Sequence, residues 1–155
     1  MALAGSREKL DTALSLDADA VVNHRDSDWL AQCAASSGSD GFDVIYDFVG
    51  GELDKSLATL LTPLGTRLFG ALGRFALDTE TMNSLLARGQ TVKGFALIPL
   101  LQAGNPRRDM AELFRLAANG KLAPVIGARF ALEQAADAHR LSETRASIGK
   151  IVLHP

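Results

Sequence analysis

Residues able to do chemistry gather at three places in this chain, each at the end of an apolar run. The first is Gly5-Ser6-Arg7-Glu8-Lys9, which follows MALA. A hydroxyl and two cations suit a phosphate: Ser6 can donate to a phosphate oxygen, and Arg7 and Lys9 supply charge. In a dinucleotide fold, the strand end that meets the adenosine ribose carries a carboxylate for a free 2′-hydroxyl. It carries cations and hydroxyls for a 2′-phosphate. The tip here has no acid, and Glu8 points elsewhere on the helix. The same five residues also read as an ordinary helix start, with Ser6 as N-cap and solvated charges. The second place is His24-Arg25, ending Ala20–Asn23. A histidine there can stack near an adenine or meet a phosphate, or it can lie in a plain surface loop. The third is Asp47-Phe48-Val49-Gly50-Gly51, ending the run that starts at Phe42. Ligands of parallel sheets bind just beyond the carboxyl ends of strands, and this is such an end.

Other chemistries lack their residues. No G-x-G-x-x-G follows a strand and opens a helix. Gly70-Ala71-Leu72-Gly73 has the wrong spacing and reads as a loop. His24, His139 and His154 are scattered without paired spacing, so no metal site is expected. His139, on an apolar helix face, reads as a core histidine. Asp43 and Asp47 lie four apart on a strand, two pleats away from each other. Asp47 is expected to fix the turn rather than act in a catalytic pair. Cys33, Ser36 and Ser84 have no nucleophile context, and no catalytic residue is assigned.

The elements that hold these places alternate. MALA is a short strand, 8–16 a helix, Ala20–Asn23 a strand, and 27–36 a helix with Trp29, Leu30 and Cys33 inward. Phe42–Phe48 is a strand rich in Val, Ile, Tyr and Phe, read as buried on both faces. Leu53, Leu57, Leu60 and Leu61 give a helix over 52–61, ended by Pro63 and Gly65. Strands follow at 66–70 and 91–96, with a helix at 79–87 between them. Asn105-Pro106 starts a helix to Ala118 that is expected to bury Met110, Leu113, Phe114 and Ala117. An extended piece at Phe130, a helix over 133–142 and a strand over 150–153 close the chain. Such alternation implies parallel pairing in a doubly wound α/β fold.

Composition sets the bounds. The 155 residues, with a net charge of −2 and a pI near 5.9, fit one domain. A chain of this length buries roughly two-thirds of its unfolded surface. No basic patch suggests nucleic acid, no apolar stretch is long enough to span a membrane, and no secretory signal is visible. Cys33 is the one cysteine, which rules out an internal disulfide. A cytoplasmic α/β protein is expected.

The segments GSREKL, AVVNHRD, GFDVIYDFVGG, LGTRLFGALG, LAANGKLAPVI and FALEQAADAHRLSETRASIGKIVLHP occur in this order over nearly the whole chain. Together they resemble the carboxyl-terminal part of the medium-chain dehydrogenase/reductase superfamily. The similar branch is that of the zinc-independent NADPH:quinone oxidoreductases and related enoyl reductases. The resemblance implies a Rossmann-like doubly wound parallel sheet and NADPH as cofactor. It implies that Ser6 and Lys9, with Arg7 beside them, grip the 2′-phosphate. His24 stands where relatives carry a tyrosine. Phe48, Val49 and Gly50 match the loop over the ribose; Phe69, Gly70 and Ala71 match the strand end beside the nicotinamide. Gly94 and Phe95 match the segment near its amide, and Arg145 a late arginine near the cofactor.

Relatives also carry a catalytic domain, then the first strand of the sheet with its glycine-rich turn. Residues 1–155 read as a partial NADP-binding Rossmann domain lacking that strand and turn. Their closing segment is one that, in relatives, returns to the catalytic domain. In the strand order 3-2-1-4-5-6 the absent strand is central. Its absence leaves two half-sheets with sticky edges. The second strand slides over to pair with Phe42–Phe48, or another chain fills the place. A homodimer is expected, in part through the edge strand at 91–96. The function implied is the cofactor-binding portion of an NADPH-dependent oxidoreductase, inactive as this chain alone. The alternative is a non-catalytic dimerisation or interaction module with a relic nucleotide-binding fold.

Overall fold

The computed structural model describes residues 1–38, 40–70 and 74–155. Strands β1 (Ala2–Ala4) and β2 (Val21–Asn23) pair in parallel. They are joined by helix α1 (Arg7–Ser15), which buries Leu10, and followed by α2 (Trp29–Ser37), which buries Cys33. Strands β3 (Phe42–Asp47), β4 (Leu61–Phe69) and β5 (Thr91–Gly94) make a second parallel sheet in that order, with β3 and β5 at its edges. Helix α3 (Glu52–Ala58) joins β3 to β4, and α4 (Thr79–Arg88) joins β4 to β5. Helices α5 (Leu97–Ala103) and α6 (Pro106–Ala118) lead to a third parallel pair, β6 (Ile126–Ala131) and β7 (Lys150–His154). Helix α7 (Ala135–Glu143) lies between those two strands.

Local chemistry explains the helix ends. Asp78 Oδ1 accepts the Thr81 N–H at 2.8 Å, and Gly89 closes α4 at φ +62°. Asn105 Oδ1 accepts the Arg108 N–H at 3.1 Å, with Pro106 opening α6. Both arrangements satisfy amides that a helix start leaves without partners.

The sheet departs from the sequence reading at β4, which begins at Leu61 rather than 66. Leu61 pairs with Phe42 and Thr66 with Val44, so Thr62–Gly65 bulge opposite Asp43. Leu64 takes φ +64°, and Thr62 Oγ1 donates to Asp43 Oδ1 at 3.1 Å. The leucine spacing that suggested a helix to residue 61 instead feeds the core. Ile45, Leu57 and Leu61 form its centre, with Leu3, Trp29, Phe42, Leu53 and Leu60 packed around it. Helix α5 was not anticipated in the sequence, and β5 correspondingly ends at Gly94.

β1 does not slide over to pair with β3: the two half-sheets stay separate. A groove of about 410 Å³ runs between them, lined by Leu3 on one side and by Phe42, Val44 and Tyr46 on the other.

β3 is buried on one face only. Ile45 and Asp47 are sealed, while Tyr46 is 70% exposed and Val44 and Phe48 are about half exposed. The helix over 106–118 likewise leaves Met110, Leu113 and Phe114 in solvent, because no strand packs on its apolar stripe; His139 is exposed too. The accessible surface is 10868 Å², against roughly 7,500 Å² for a compact chain of this mass. The chain therefore buries roughly half of its unfolded surface rather than two-thirds.

Candidate functional site

The turn after β3 is built by Asp47. Its Oδ1 accepts the N–H groups of Val49 at 2.7 Å and Gly50 at 3.0 Å. Gly50 (φ +67°) and Gly51 (φ +75°) take conformations that only glycine adopts cheaply. The Gly51 N–H donates to the Arg74 carbonyl at 2.8 Å, and the Arg74 Nε–H donates to the Val49 carbonyl. A Cβ on Gly50 would lie 2.6 Å from that Arg74 carbonyl oxygen. The turn is thus clamped between a carboxylate below and Arg74 above. Asp47 fixing the turn agrees with the sequence reading; Arg74 was not anticipated.

Behind the turn sits a sealed charge cluster. Asp47, Asp54 and Arg67 are each at most 3% exposed. Arg67 Nη1 lies 3.1 Å from Asp54 Oδ1. This is a charge contact rather than an aligned hydrogen bond, since Asp54 Oδ1 and Arg67 Nε both lack a hydrogen-bond partner among the described residues. Asp47 Oδ2 also lacks one. Burial raises the Asp54 carboxyl above the ordinary aspartate value, Arg67 pulls it back, and the charge and hydrogen bond of Asp47 raise it further. Nothing in a single sequence marks these three as neighbours; a polar residue on the apolar face of α3 and a cation inside a strand were the only signals.

At the carboxyl ends of β3, β4 and β5 an apolar cavity of about 780 Å³ opens, lined mainly by Phe48, Phe69, Gly70, Phe75, Gly94 and Phe95. Phe48 stands edge-on to Phe95 with ring centres 6.0 Å apart, and Phe69 meets Phe75 at 4.7 Å. The Phe95 N–H donates to the Phe69 carbonyl at 2.8 Å, which carries the sheet pattern into the cavity wall. A Cβ at Gly70 would lie 2.1 Å from the Phe48 ring, so the glycine makes room for that ring. The structure therefore brings together Phe48, Phe69, Gly70, Gly94 and Phe95. Ala71 lies outside the described residues.

The end of β1 forms a separate polar corner. Ser6 is the N-cap of α1, but its side chain makes no capping bond. A Cβ at Gly5 would lie 2.9 Å from His24 Nε2 and 3.0 Å from Arg25 Nε. Two basic side chains thus close over Gly5, beside Ser6. Lys9 Nζ donates to the Arg145 carbonyl at 2.6 Å, and Arg145 takes φ +54°. Arg7 is turned to Asp11 at 3.0 Å in solvent. The structure sets His24 and Arg25 against Gly5, the neighbour of Ser6, and joins Lys9 to the Arg145 carbonyl. It does not turn Arg7 inward, and it adds Arg25. Cys33 is fully buried, and burial pushes its thiol up, away from the reactive thiolate.

The chain is thus an α/β fold of parallel sheets, with an aromatic cavity at the strand ends of β3–β5 and a basic corner at the end of β1. The profile of the zinc-binding dehydrogenase family matches residues 16–153, and the chain belongs to that family. It is 27% identical to the quinone oxidoreductase of Sus scrofa, over 97% of this chain and 45% of that one. It is 34% identical to an NAD-dependent alcohol dehydrogenase of Sulfolobus acidocaldarius, over 86% of this chain and 36% of that one. A mycobacterial protein solved in complex with NADPH superposes with a TM-score of 0.84 at 23% identity, covering 99% of this chain and 49% of that one. The chain spans less than half the length of these relatives. The part of the medium-chain dehydrogenase/reductase fold that the chain matches is the nucleotide-binding domain. Among the described residues no three His, Cys, Asp or Glu side chains come together to hold a metal ion. The described residues therefore do not fit the zinc for which the family is named.

Proposed function

We propose that this chain is the cofactor-binding portion of an NADPH-dependent oxidoreductase that reduces a quinone or an activated double bond. The observation that carries the reading is the corner around Gly5. Ser6 keeps its hydroxyl off the helix cap, His24 and Arg25 close over a residue with no Cβ, and no carboxylate occupies the strand tip. That donor set fits a 2′-phosphate better than a free ribose hydroxyl. Lys9, four residues on from Gly5, donates to the Arg145 carbonyl. The Phe48–Gly50 turn would pass over the ribose, and the cavity between Phe48 and Phe95 would take the nicotinamide end. The cofactor, when bound, supplies the hydride. This chain's part is to orient it and keep water from one face of the ring. This stretch alone is expected to bind without turnover.

Saturable NADPH binding, followed by Trp29 fluorescence or thermal shift and tighter than NADH binding, is the expected result. Equal affinity for the two would overturn the 2′-phosphate assignment. No binding at all would favour a second reading, an interaction module. That reading has its own support: β5 ends its sheet among the described residues, Phe95, Leu97 and Ile98 just after it are exposed, and so are Met110 and Phe114 on α6. A second copy of this chain is the occupant proposed for that face under both readings, and a monomer by sedimentation would refute it.

A further inference from the structure

We propose that Asp54 and Arg67 are positioning residues for the Phe48–Gly50 turn: Asp54 keeps a proton and donates it to Asp47 Oδ2, which leaves Asp47 Oδ1 for the Val49 and Gly50 amides. The proposal rests on the cofactor reading only for what the turn would touch. The charge count carries it. Two carboxyls and one guanidinium are sealed together, with side chains of Asp54 and Arg67 at most 4% exposed. With both carboxyls ionised the cluster holds a net negative charge away from water, which is costly. With one proton it is neutral. The same proton gives Asp47 Oδ2 the donor it otherwise lacks. Asp47 Oδ1 is already taken up by two backbone N–H groups and Oδ2 has no donor, so Asp54 is the partner that keeps the proton.

The other charges around the cluster are exposed, except Arg88, which is partly buried. Glu52 and Lys55 on α3 pair with each other at 3.5 Å in solvent. Arg74 stands over the turn, Asp78 and Glu80 start α4, Arg88 at its end donates to the Leu61 carbonyl, and Asp43 lies on β3. The amino-terminal Met1 lies across the groove from Asp47. Charges in water are screened far more than a sealed pair, so they do not replace the proton.

The sign follows. Asp54 is raised by burial, so its contribution is present at low pH and lost as pH rises through its folded value. Amide hydrogen exchange at Val49 and Gly50, corrected for the intrinsic pH effect, and thermal melts across weakly acidic to alkaline pH test this without ligand. Wild type should lose protection and melting temperature as pH rises. Asp54→Asn, whose amide donates without titrating, should hold both flat. Asp54→Ala should lose protection about tenfold or more at every pH, the scale of a broken buried hydrogen bond. An Asn variant that follows the wild-type pH profile, or that is as unprotected as Ala, would overturn the proposal. If the Ala variant does not fold, the Asn comparison alone decides. Failure of NADPH to bind leaves these readouts intact, so the two ideas fail separately.

Discussion

At the end of β1, Arg7 reaches Asp11 at 3.0 Å with their side chains 84% and 52% exposed. Behind the turn that ends β3, Arg67 of β4 reaches Asp54 of α3 at 3.1 Å with both side chains nearly sealed. The two pairs use the same residue types at nearly the same separation. In water the pair competes with solvent and counter-ions and constrains little. In the interior, each charge has been stripped of water, and removing one partner strands the other. The corner near β1 is therefore adaptable, and under the proposed reading it would exchange Asp11 for a phosphate. The turn near β3 is fixed in advance. A binding site built this way offers a rigid ledge at one end and a yielding electrostatic contact at the other.

The comparison is broken most forcefully at Arg67. Arg67→Ala leaves two carboxyls facing each other in the core, and a loss of about 3–5 kcal/mol is expected in denaturant unfolding. Replacing Arg67 and Asp54 together by Met and Leu should recover much of that loss, since buried ion clusters are often matched by apolar packing. A small loss for Arg67→Ala would mean that the cluster is wetter than its burial implies.

Next in size is Gly70→Ala. The new methyl would press on the Phe48 ring, and overpacking of this kind costs about 1–3 kcal/mol. Phe48 has an open side, so the ring is expected to swing out, and the cavity it lines with Phe95 should change shape. A crystal structure of the variant with Phe48 unmoved would show that the ring is held harder than its exposure suggests.

Much of this frame was legible in the sequence because it rests on local rules. Val, Ile and Phe runs ended by glycine mark the strands, and Asn105-Pro106 marks a helix start. The extent of burial was not legible. The FDVIYD run reads as buried on both faces since period and composition report hydrophobicity, not whether a second layer is present to cover Val44 and Tyr46. The sealed cluster was not legible either. Asp47, Asp54 and Arg67 come from three elements, and only the parallel register of β3 and β4, with α3 crossing between them, brings them together. At the candidate site, Ser6, His24 and Phe48 were read from strand-end position, and Phe95 from the family resemblance. Arg74 and Phe75 were missed because they follow the strand end in a stretch with no periodic pattern.

The smallest effect is the one that sharpens the contrast. Arg7→Ala should change unfolding stability by about 1 kcal/mol or less, since its ion pair is exposed. Its effect on binding depends on what holds Arg7 away from the corner. Asp11 does so now, so Asp11→Asn should free the guanidinium and strengthen NADPH binding a few-fold while leaving NADH unchanged. The gain should shrink with added salt, as a solvent-exposed charge contact does. If Asp11→Asn strengthens both cofactors alike, Arg7 is acting on the shared pyrophosphate. If it changes neither, the phosphate is read by Ser6, His24 and Arg25 around Gly5, and the adaptable half of the crevice is narrower than its charges suggest.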